Sequence, residues 1–222
     1  MSKEEIQTKQ KILAAAQRMF FENGYDKTSI HAIIEKVGVA KGTFYHHFSS
    51  KEELMEELVK GFAAEIEKGI SGVLDEKMGA VEKLNAVARR GGELKKERVA
   101  FIRMYSEFMA NPDNCRMTRR LMDISREITV PIYEKIINQG IEEGVFDCSG
   151  PDFTAEIIFG LGESMQRRII PLIIKENPGK EDLAAIIKDL NAYERVMERI
   201  LGAPEKSLKF AEETDIKVFL KK

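Results

Sequence analysis

Apolar residues recur at helical spacing along most of the chain, and alternating strand patterns last only a few residues. Near the amino end this pattern predicts a helix over Glu4–Asn23, which Gly24 ends because glycine is favoured just past a helix C-terminus. Apolar residues spaced by four from Leu54 to Leu74 predict one long helix. Proline is scarce and residues of high helix propensity dominate, so the sequence predicts an all-α protein.

The segment Thr28–Lys51 predicts two short helices joined at a glycine. Thr28 or Ser29 can cap the first helix, and Gly38 stands where a tight turn needs a positive φ. Phe44 is expected to anchor the second helix in the core. The small or polar residues expected on the outside of that helix are Ala40, Lys41, Thr43, Tyr45 and His46. The segment therefore predicts a helix-turn-helix whose second helix can lie in a DNA major groove.

The residues of this pattern resemble the N-terminal domain of the TetR (tetracycline-repressor-like) family. The matching residues are Thr28, Ile33, Gly38, Val39, Gly42, Thr43, Phe44, Tyr45, His46, Phe48, Lys51 and Leu54, preceded by Ile12, Leu13, Ala16, Phe20, Gly24 and Tyr25. Ile34 and Val37 depart from the family, which usually has alanine there, at positions that set the angle between the helices. The resemblance implies a transcriptional regulator, most often a repressor, that binds a palindromic operator as a homodimer and is released by a small-molecule effector.

DNA contacts are expected along the second short helix and at its flanks. Lys41 can donate to guanine O6 or N7, and Thr43 can meet a thymine methyl or a base edge. Gly42 would let the helix backbone approach the DNA closely. Phosphate contacts are expected from Thr28, Ser29, Tyr45, His46 and Lys51, with Ala40 completing the predicted DNA-binding set.

The charge distribution is consistent with local DNA binding. The net charge is −2, so the chain as a whole is not basic. Between residues 25 and 51, however, four lysines face two acidic residues, and all three histidines lie in the same window. Hydrogen-bonding residues that face phosphate explain this clustering, and chance is the alternative.

The rest of the chain predicts a helical bundle. We expect a DNA-binding domain over residues 1–50, a linking helix over about 50–74 and an effector-binding and dimerisation domain over 75–222. The predicted helices of the bundle are Ala80–Arg90, ended by Gly91-Gly92, then Val99–Met109, a long segment to about Glu143, Asp152 to about Ile170, and Asp182–Leu201. Residues 203–222 are compatible with a docked final helix or with a loose tail.

The apolar stripes of the last two long helices allow two interpretations. Core packing within one subunit explains either stripe alone, and a four-helix interface with a twofold mate explains both. The predicted interface residues are Ile157, Leu161, Met165, Leu183, Ile186, Leu190, Tyr193 and Met197. An apolar effector cavity with a few polar groups is predicted at Met104, Tyr105, Phe108, Met109, Met122, Arg126, Phe159, Glu163, Met165 and Arg167, for which ordinary core packing is the alternative.

The sequence argues against an enzyme. It has no glycine-rich phosphate loop and no His/Cys ligand set, so no metal or cofactor is expected. Cys115 and Cys148 match no metal or redox spacing. Without a signal-like or membrane-spanning run, a cytoplasmic protein with no membrane partner is expected. The alternative function is a helical ligand-binding or architectural DNA-binding protein without specific operator readout.

Overall fold

The computed structural model describes residues 3–220, and every regular element in that range is a helix. The α-helices are α1 (Lys3–Asn23), α2 (Ile30–Val37), α3 (Lys41–His47), α4 (Lys51–Asp75), α5 (Ala80–Glu97), α6 (Val99–Ala110), α7 (Cys115–Glu142), α8 (Pro151–Ile173), α9 (Lys180–Leu201) and α10 (Glu213–Leu220). A single 3-10 turn, Pro112–Asn114, joins α6 to α7. The predicted all-α architecture, with an N-terminal helix-turn-helix followed by a helical bundle, is confirmed.

The first hydrophobic core lies under the N-terminal helices. Ile12, Phe20 and Ile33 are almost fully buried there, together with Phe44 and Leu54. The same core also contains residues of the bundle, namely Phe101, Met104 and Phe108 of α6 and Leu121 of α7. The helix-turn-helix therefore packs on α6 and α7 as well as on its own helices.

The second and largest core lies inside the bundle, where α4, α5, α7, α8 and α9 meet. It is built from Ile70, Val73, Leu84, Val87, Ile136, Ile137, Ala155, Ile158, Met197 and Leu201, all of which are buried. Because α4 contributes its first half to the first core and its second half to this one, it links the two cores directly.

The glycine pair in α5 does not end the helix, contrary to the prediction of a break at Gly91-Gly92. The helix continues to Glu97. Each glycine costs roughly 1 kcal/mol relative to alanine inside a helix. Packing between α5 and α4 offsets that cost. Leu94 of α5 lies against Gly69 of α4, so closely that a Cβ built on Gly69 would lie 2.5 Å from the Leu94 Cδ1 atom.

Residues 203–220 form a strap that is docked on the bundle, which decides between the two predicted alternatives. The backbone N–H groups of Leu208 and Phe210 donate to the Glu198 and Glu194 carboxylates at 3.0 and 2.7 Å. Asn85 of α5 donates to the Ser207 carbonyl and accepts from the Lys209 N–H, both at 2.8 Å. The C-terminal strap ends in α10, which packs in a third apolar cluster against α8 and α9.

The helices of residues 3–220 lack the features of a membrane-spanning segment. None of them combines the length and the apolar character that a bilayer span requires.

Candidate nucleic-acid interface

The turn between α2 and α3 has the geometry that the sequence predicts. The Ser29 hydroxyl accepts a hydrogen bond from the Ala32 N–H at 3.1 Å and so caps the start of α2. Gly38 ends α2 in the left-handed conformation with φ 74°, and its N–H donates to the Ile34 carbonyl at 3.0 Å. A side chain would be strained at that φ, so glycine fixes the direction in which α3 leaves the turn.

Two aromatic side chains orient α3. Phe44 and Phe48 are 0% and 1% exposed, and their ring centroids lie 6.1 Å apart in the core. Because these two rings fix the inner face of α3, its other residues must face away from the core. Ala40, Lys41, Gly42, Tyr45 and His46 are exposed, and Thr43 is partly exposed. The predicted outward set of the second helix therefore lies on one accessible surface.

Gly42 leaves open space on the outer face of α3. A Cβ built at this position would have no protein atom within 4 Å. The protein's own packing therefore gives no reason for a glycine here. Close approach of the helix backbone to another molecule does give one. Beside it, the Lys41 ammonium lies 5.9 Å from the centre of the Tyr45 ring, and both side chains are exposed.

His46 lies next to an acidic side chain of α1. Its Nε2 atom is 3.5 Å from the Glu5 carboxylate, at the edge of a shallow groove between the start of α1 and α3. Gly42, Thr43 and His47 line the same groove. The N-terminal turns of α1 therefore border the outer surface of α3.

Thr28 does not face outward, which corrects the prediction that it contacts phosphate. It is only 2% exposed. Its hydroxyl lies 2.8 Å from the Gly24 carbonyl oxygen and 3.1 Å from that of Met19. The hydroxyl proton is therefore committed to the main chain at the end of α1, and Thr28 holds the loop between α1 and α2.

Lys51 is also tied to that loop rather than free on the surface. Its ammonium donates to the Tyr25 carbonyl oxygen at 2.9 Å and to that of Asp26 at 3.4 Å. It also lies 4.2 Å from the centre of the Tyr25 ring. These contacts clamp the start of α4 to the loop between α1 and α2, and the phosphate contact of Lys51 stays a prediction.

The ten predicted pocket residues do not share one site. Met104 and Phe108 are 3% exposed and belong to the core beneath the helix-turn-helix. Tyr105 and Met109 pack against the same core, while Met165 packs in the cluster beneath the strap. Met122 of α7 is also buried, with 9% of its surface exposed. The structure thus assigns ordinary packing roles to most of this set.

The polar pocket candidates have polar partners within the protein. Arg126 pairs with Glu156 at 3.0 Å and with Glu163 at 3.7 Å, and its guanidinium lies 5.2 Å from the centre of the Phe159 ring. Arg167 is exposed and donates to the Ser164 hydroxyl. Arg126, Phe159 and Glu163 therefore form one small cluster between α7 and α8, and Arg167 lies outside it.

Three predicted interface residues belong to the core of a single protomer. Ile186, Leu190 and Met197 are 3%, 7% and 1% exposed. The strap covers the first two, because Ile216 of α10 packs against them, and Met197 lies in the largest core. The other predicted residues on α9, Leu183 and Tyr193, are partly buried, and so is Met165 on α8.

A different apolar surface on α8 and α9 is exposed. Phe153 and Ile157 of α8 and Val196 of α9 are 68%, 37% and 40% exposed, and Leu161, one turn after Ile157, is partly exposed. The predicted interface set included Ile157 and Leu161 but not Phe153 and Val196. Phe153 lies on the same apolar stripe of α8 as Ile157 and Leu161, four and eight residues before them, and could have been added on that ground. Val196 lies outside the main apolar stripe of α9, at a site where a monomer would normally place a polar residue.

The fold and the exposed face of α3 define a helix-turn-helix DNA-binding protein with an appended helical bundle. Comparison with known proteins agrees. The family model described as bacterial regulatory proteins, tetR family, matches residues 12–58, and the model described as tetracyclin repressor-like, C-terminal domain, matches residues 98–168. The chain belongs to the TetR family and is a DNA-binding transcriptional regulator.

Individual relatives extend the comparison over different parts of the chain. The HTH-type transcriptional repressor KstR2 of Mycobacterium tuberculosis is 26% identical over 148 residues, which cover 67% of this chain and 72% of KstR2. The HTH-type transcriptional regulator UidR of Escherichia coli is 41% identical over 59 residues, which cover 27% of this chain and 30% of UidR. The higher identity to UidR is thus confined to a short segment.

Solved structures share the whole fold. A TetR-family transcriptional regulator from Pectobacterium atrosepticum superposes with a TM-score of 0.61 at 21% identity, covering 92% of this chain and all of that one. The TetR regulator TylP from Streptomyces fradiae superposes with a TM-score of 0.60 at 20% identity and covers 96% of each chain. These similarities show that the fold extends over the bundle as well as the helix-turn-helix.

Proposed function

We propose that the protein is a transcriptional repressor that binds a palindromic operator as a homodimer and releases it when a small-molecule effector binds in the bundle. In this proposal residues 1–50 bind DNA, a linking helix spans about 50–74, and residues 75–222 bind the effector and dimerise. The observation that carries the DNA-binding part is the exposed face of α3, held outward by the buried rings of Phe44 and Phe48. KstR2 and a second relative are transcriptional repressors, which supports repression rather than activation here.

On the operator, α3 would lie in the major groove with its small and polar face toward the bases. Lys41 and Thr43 are the base-reading candidates, because both side chains are accessible near the N-terminal end of α3. Ser29, Tyr45 and His46 are exposed at the flanks of that face, where phosphate contacts would fix the register. Ala40 and Gly42 carry little or no side chain and would allow close approach of the backbone.

The exposed apolar surface of α8 and α9 is the proposed dimer interface. Phe153, Ile157 and Val196 expose side chains that water would solvate poorly, and a matching surface on a second copy would bury them. A twofold dimer would place two copies of α3 about one DNA turn, roughly 34 Å, apart. That geometry requires a near-palindromic operator.

The contacts between α6 and the helix-turn-helix provide a route by which an effector could act on DNA binding. The Phe108 ring of α6 meets the Tyr25 ring edge-on, with centroids 4.7 Å apart. Asn111, just after α6, donates to the Asp26 carboxylate at 2.7 Å. An effector that displaces α6 would therefore move the loop between α1 and α2, and a coupling of roughly 1 to 3 kcal/mol is typical of such systems.

Selection of DNA sites from random duplexes tests the DNA-binding part of this proposal. The full-length protein should enrich a palindromic sequence with half-sites about one helical turn apart. Enrichment of no consensus, with binding to all duplexes alike, would instead support the architectural alternative.

The dimer interface has a matched pair of test variants. Ile157 and Ile141 are both 37% exposed, but Ile141 belongs to α7 and not to the proposed surface of α8 and α9. Ile157→Asp should give monomers in analytical ultracentrifugation and weaken operator binding by at least tenfold, while Ile141→Asp should behave like the wild type. A dimer that survives Ile157→Asp would place the interface elsewhere.

A further inference from the structure

An open groove lies at the end of the bundle where α4 ends, roughly 37 Å along that helix from the helix-turn-helix. Its volume is about 410 Å³, which is within the range of small-molecule sites. Three helices line it, through Ser71, Leu74 and Asp75 of α4, Lys83 of α5, and Lys135 and Gln139 of α7. None of these six residues is among the pocket residues predicted from the sequence, so the groove is a separate candidate site for a ligand.

The groove reaches a buried ammonium group, that of Lys83, which is only 6% exposed. This ammonium donates to the Leu74 carbonyl oxygen in the last turn of α4, where the helix dipole favours a cation. An ammonium group has three N–H donors, however, and Lys83 makes no other hydrogen bond or ion pair within residues 3–220. Lysine is seldom buried without being paired, so a ligand in the groove can supply the acceptors that the protein lacks.

A second ammonium group borders the groove from α7. Lys135 is exposed and has no ion-pair partner in the described part of the chain. Glu143 acts electrostatically on Lys83, but it does not line the groove. Its carboxylate already accepts from the Ala80 N–H at 2.9 Å and from the Gln139 amide. Both lysines are therefore available to acidic groups of a ligand.

The α4 side of the groove carries a carboxylate in an unfavourable place. Asp75 is the last residue of α4, where the helix dipole favours cations over anions. It is exposed and makes neither a hydrogen bond nor an ion pair with any residue that the structure describes. A charge that breaks a local rule without compensation is a candidate for function rather than stability. An ammonium group of a ligand would supply the cation that Asp75 lacks.

Two neutral side chains of the lining are hydrogen-bond acceptors. The Ser71 hydroxyl donates its proton to the Lys68 carbonyl oxygen at 3.1 Å, so its own oxygen can only accept from a ligand. Gln139 uses its amide nitrogen for the Met78 carbonyl oxygen at 2.9 Å and for Glu143, which leaves the amide oxygen free to accept. The lining therefore combines two cationic donors with one anionic and two neutral acceptors.

We infer that the groove binds a small organic molecule with two carboxylate groups and one ammonium group, the chemical class of the acidic amino acids. The carboxylates would pair with Lys83 and Lys135, and the ammonium would pair with Asp75. Because the groove joins the end of α4 to α5 and α7, an occupied groove would favour one position of α4, whose first residue, Lys51, holds the helix-turn-helix. This inference rests on the proposed effector response and adds the site and the chemical class of the effector.

Two matched probes test the charge pattern with the full-length protein. L-glutamate and glutarate have the same carbon chain and the same two carboxylates, but only glutamate carries an ammonium group. In calorimetric titrations at constant ionic strength, the wild type should bind glutamate at least fivefold more tightly than glutarate. Asp75→Asn should abolish this preference, whereas Lys135→Met should weaken binding of both probes at least fivefold.

The variants and their control separate binding in the groove from binding elsewhere. Asp75 and Lys135 are exposed and have no protein partner in the described range, so neither substitution should lower Tm. Lys188→Met, at an exposed lysine of α9 outside the groove, should leave both affinities unchanged. Unchanged glutamate affinity of Lys135→Met would overturn the inference, and so would an equal loss of both probes in Asp75→Asn or a wild type that binds neither probe.

Operator binding in the presence of glutamate separates this inference from the proposed function. If glutamate binds through Lys135 and Asp75 but saturation leaves operator affinity unchanged, the ligand site stands and its proposed link to DNA binding fails. If glutamate changes operator affinity equally in the wild type and in Lys135→Met, the effect arises outside the groove. In that case the inference fails while an effector response remains.

Discussion

Replacing Lys51 by methionine should separate protein stability from phosphate binding. Methionine keeps an apolar stem of similar length and removes the ammonium that bonds the Tyr25 carbonyl at 2.9 Å. The same substitution removes the cation–π contact with the Tyr25 ring at 4.2 Å. If the clamp seen in the structure is the main role of Lys51, the variant should lose stability and keep its electrostatic contribution to DNA binding.

The expected loss of stability follows from these two contacts. A hydrogen bond from a charged donor contributes roughly 1.5 to 3 kcal/mol when buried, and an exposed cation–π contact about 0.5 to 1 kcal/mol. Lys51 is partly exposed, so water competes for both contacts and the lower ends apply. A loss of about 2 kcal/mol corresponds to a decrease in Tm of roughly 4 to 8 °C for a chain of this length.

Operator affinity measured across a range of salt concentrations completes the test. Each phosphate neutralised by a lysine contributes about 0.9 to the slope of log K against log salt. Lys51→Met should leave this slope unchanged, whereas Lys41→Met, which removes an exposed base-reading candidate from α3, should lower operator affinity and leave Tm unaltered. A Lys51→Met protein of normal Tm with a reduced slope would refute the clamp and restore the phosphate contact.

Three further substitutions test other parts of the structure. Gly42→Ala should raise the free energy of unfolding by up to about 1 kcal/mol, yet bind operator at least tenfold more weakly. Equal affinity of the variant and the wild type in a gel-shift assay would contradict close approach of the α3 backbone to DNA. Thr28→Val should cost about 1 kcal/mol in urea denaturation without changing the affinity of the folded protein, and lost affinity at full stability would contradict its loop role. Burial raises the pKa of Glu194, so its contribution to stability is present at low pH and decreases as pH rises through the raised pKa. Glu194→Gln keeps an acceptor for the Phe210 N–H but cannot ionise. The Tm of the variant relative to the wild type should therefore rise with pH, and a pH-independent difference would contradict this.

The helix-turn-helix was predictable from sequence because its determinants are local. The φ of Gly38 and the burial of Phe44 depend on residues within about two helical turns, and the structure has both as predicted. The role of Lys51 depends on a partner that is distant in sequence and that the fold brings close. Lys51 bonds the carbonyl of Tyr25, 26 residues earlier, and a lysine that clamps a loop has the same sequence pattern as one that binds phosphate.

The bundle was less predictable because helical periodicity shows that a face is covered without showing what covers it. Ile186 and Leu190 form a regular stripe, which a partner subunit or the chain's own C-terminal strap could bury. Besides the packing of Leu208 and Ile216, the strap is held by backbone N–H groups that donate to Glu194 and Glu198. Such contacts leave little pattern in the side chains of the strap itself. The continuation of α5 through Gly91 likewise depends on packing with α4 that propensity does not include.

The shared core between the helix-turn-helix and α6 determines how an effector signal could reach the DNA. Because Phe108 packs on Tyr25, α6 cannot shift without either moving the loop between α1 and α2 or opening the core. Opening buried aromatic packing costs more than a rigid-body shift, since interiors are close-packed. The same loop is held to the start of α4 by Lys51 and to α1 by Thr28. A displacement of α6 should therefore move the helix-turn-helix as a unit and change the spacing between the two α3 helices of a dimer, while α3 itself keeps its structure.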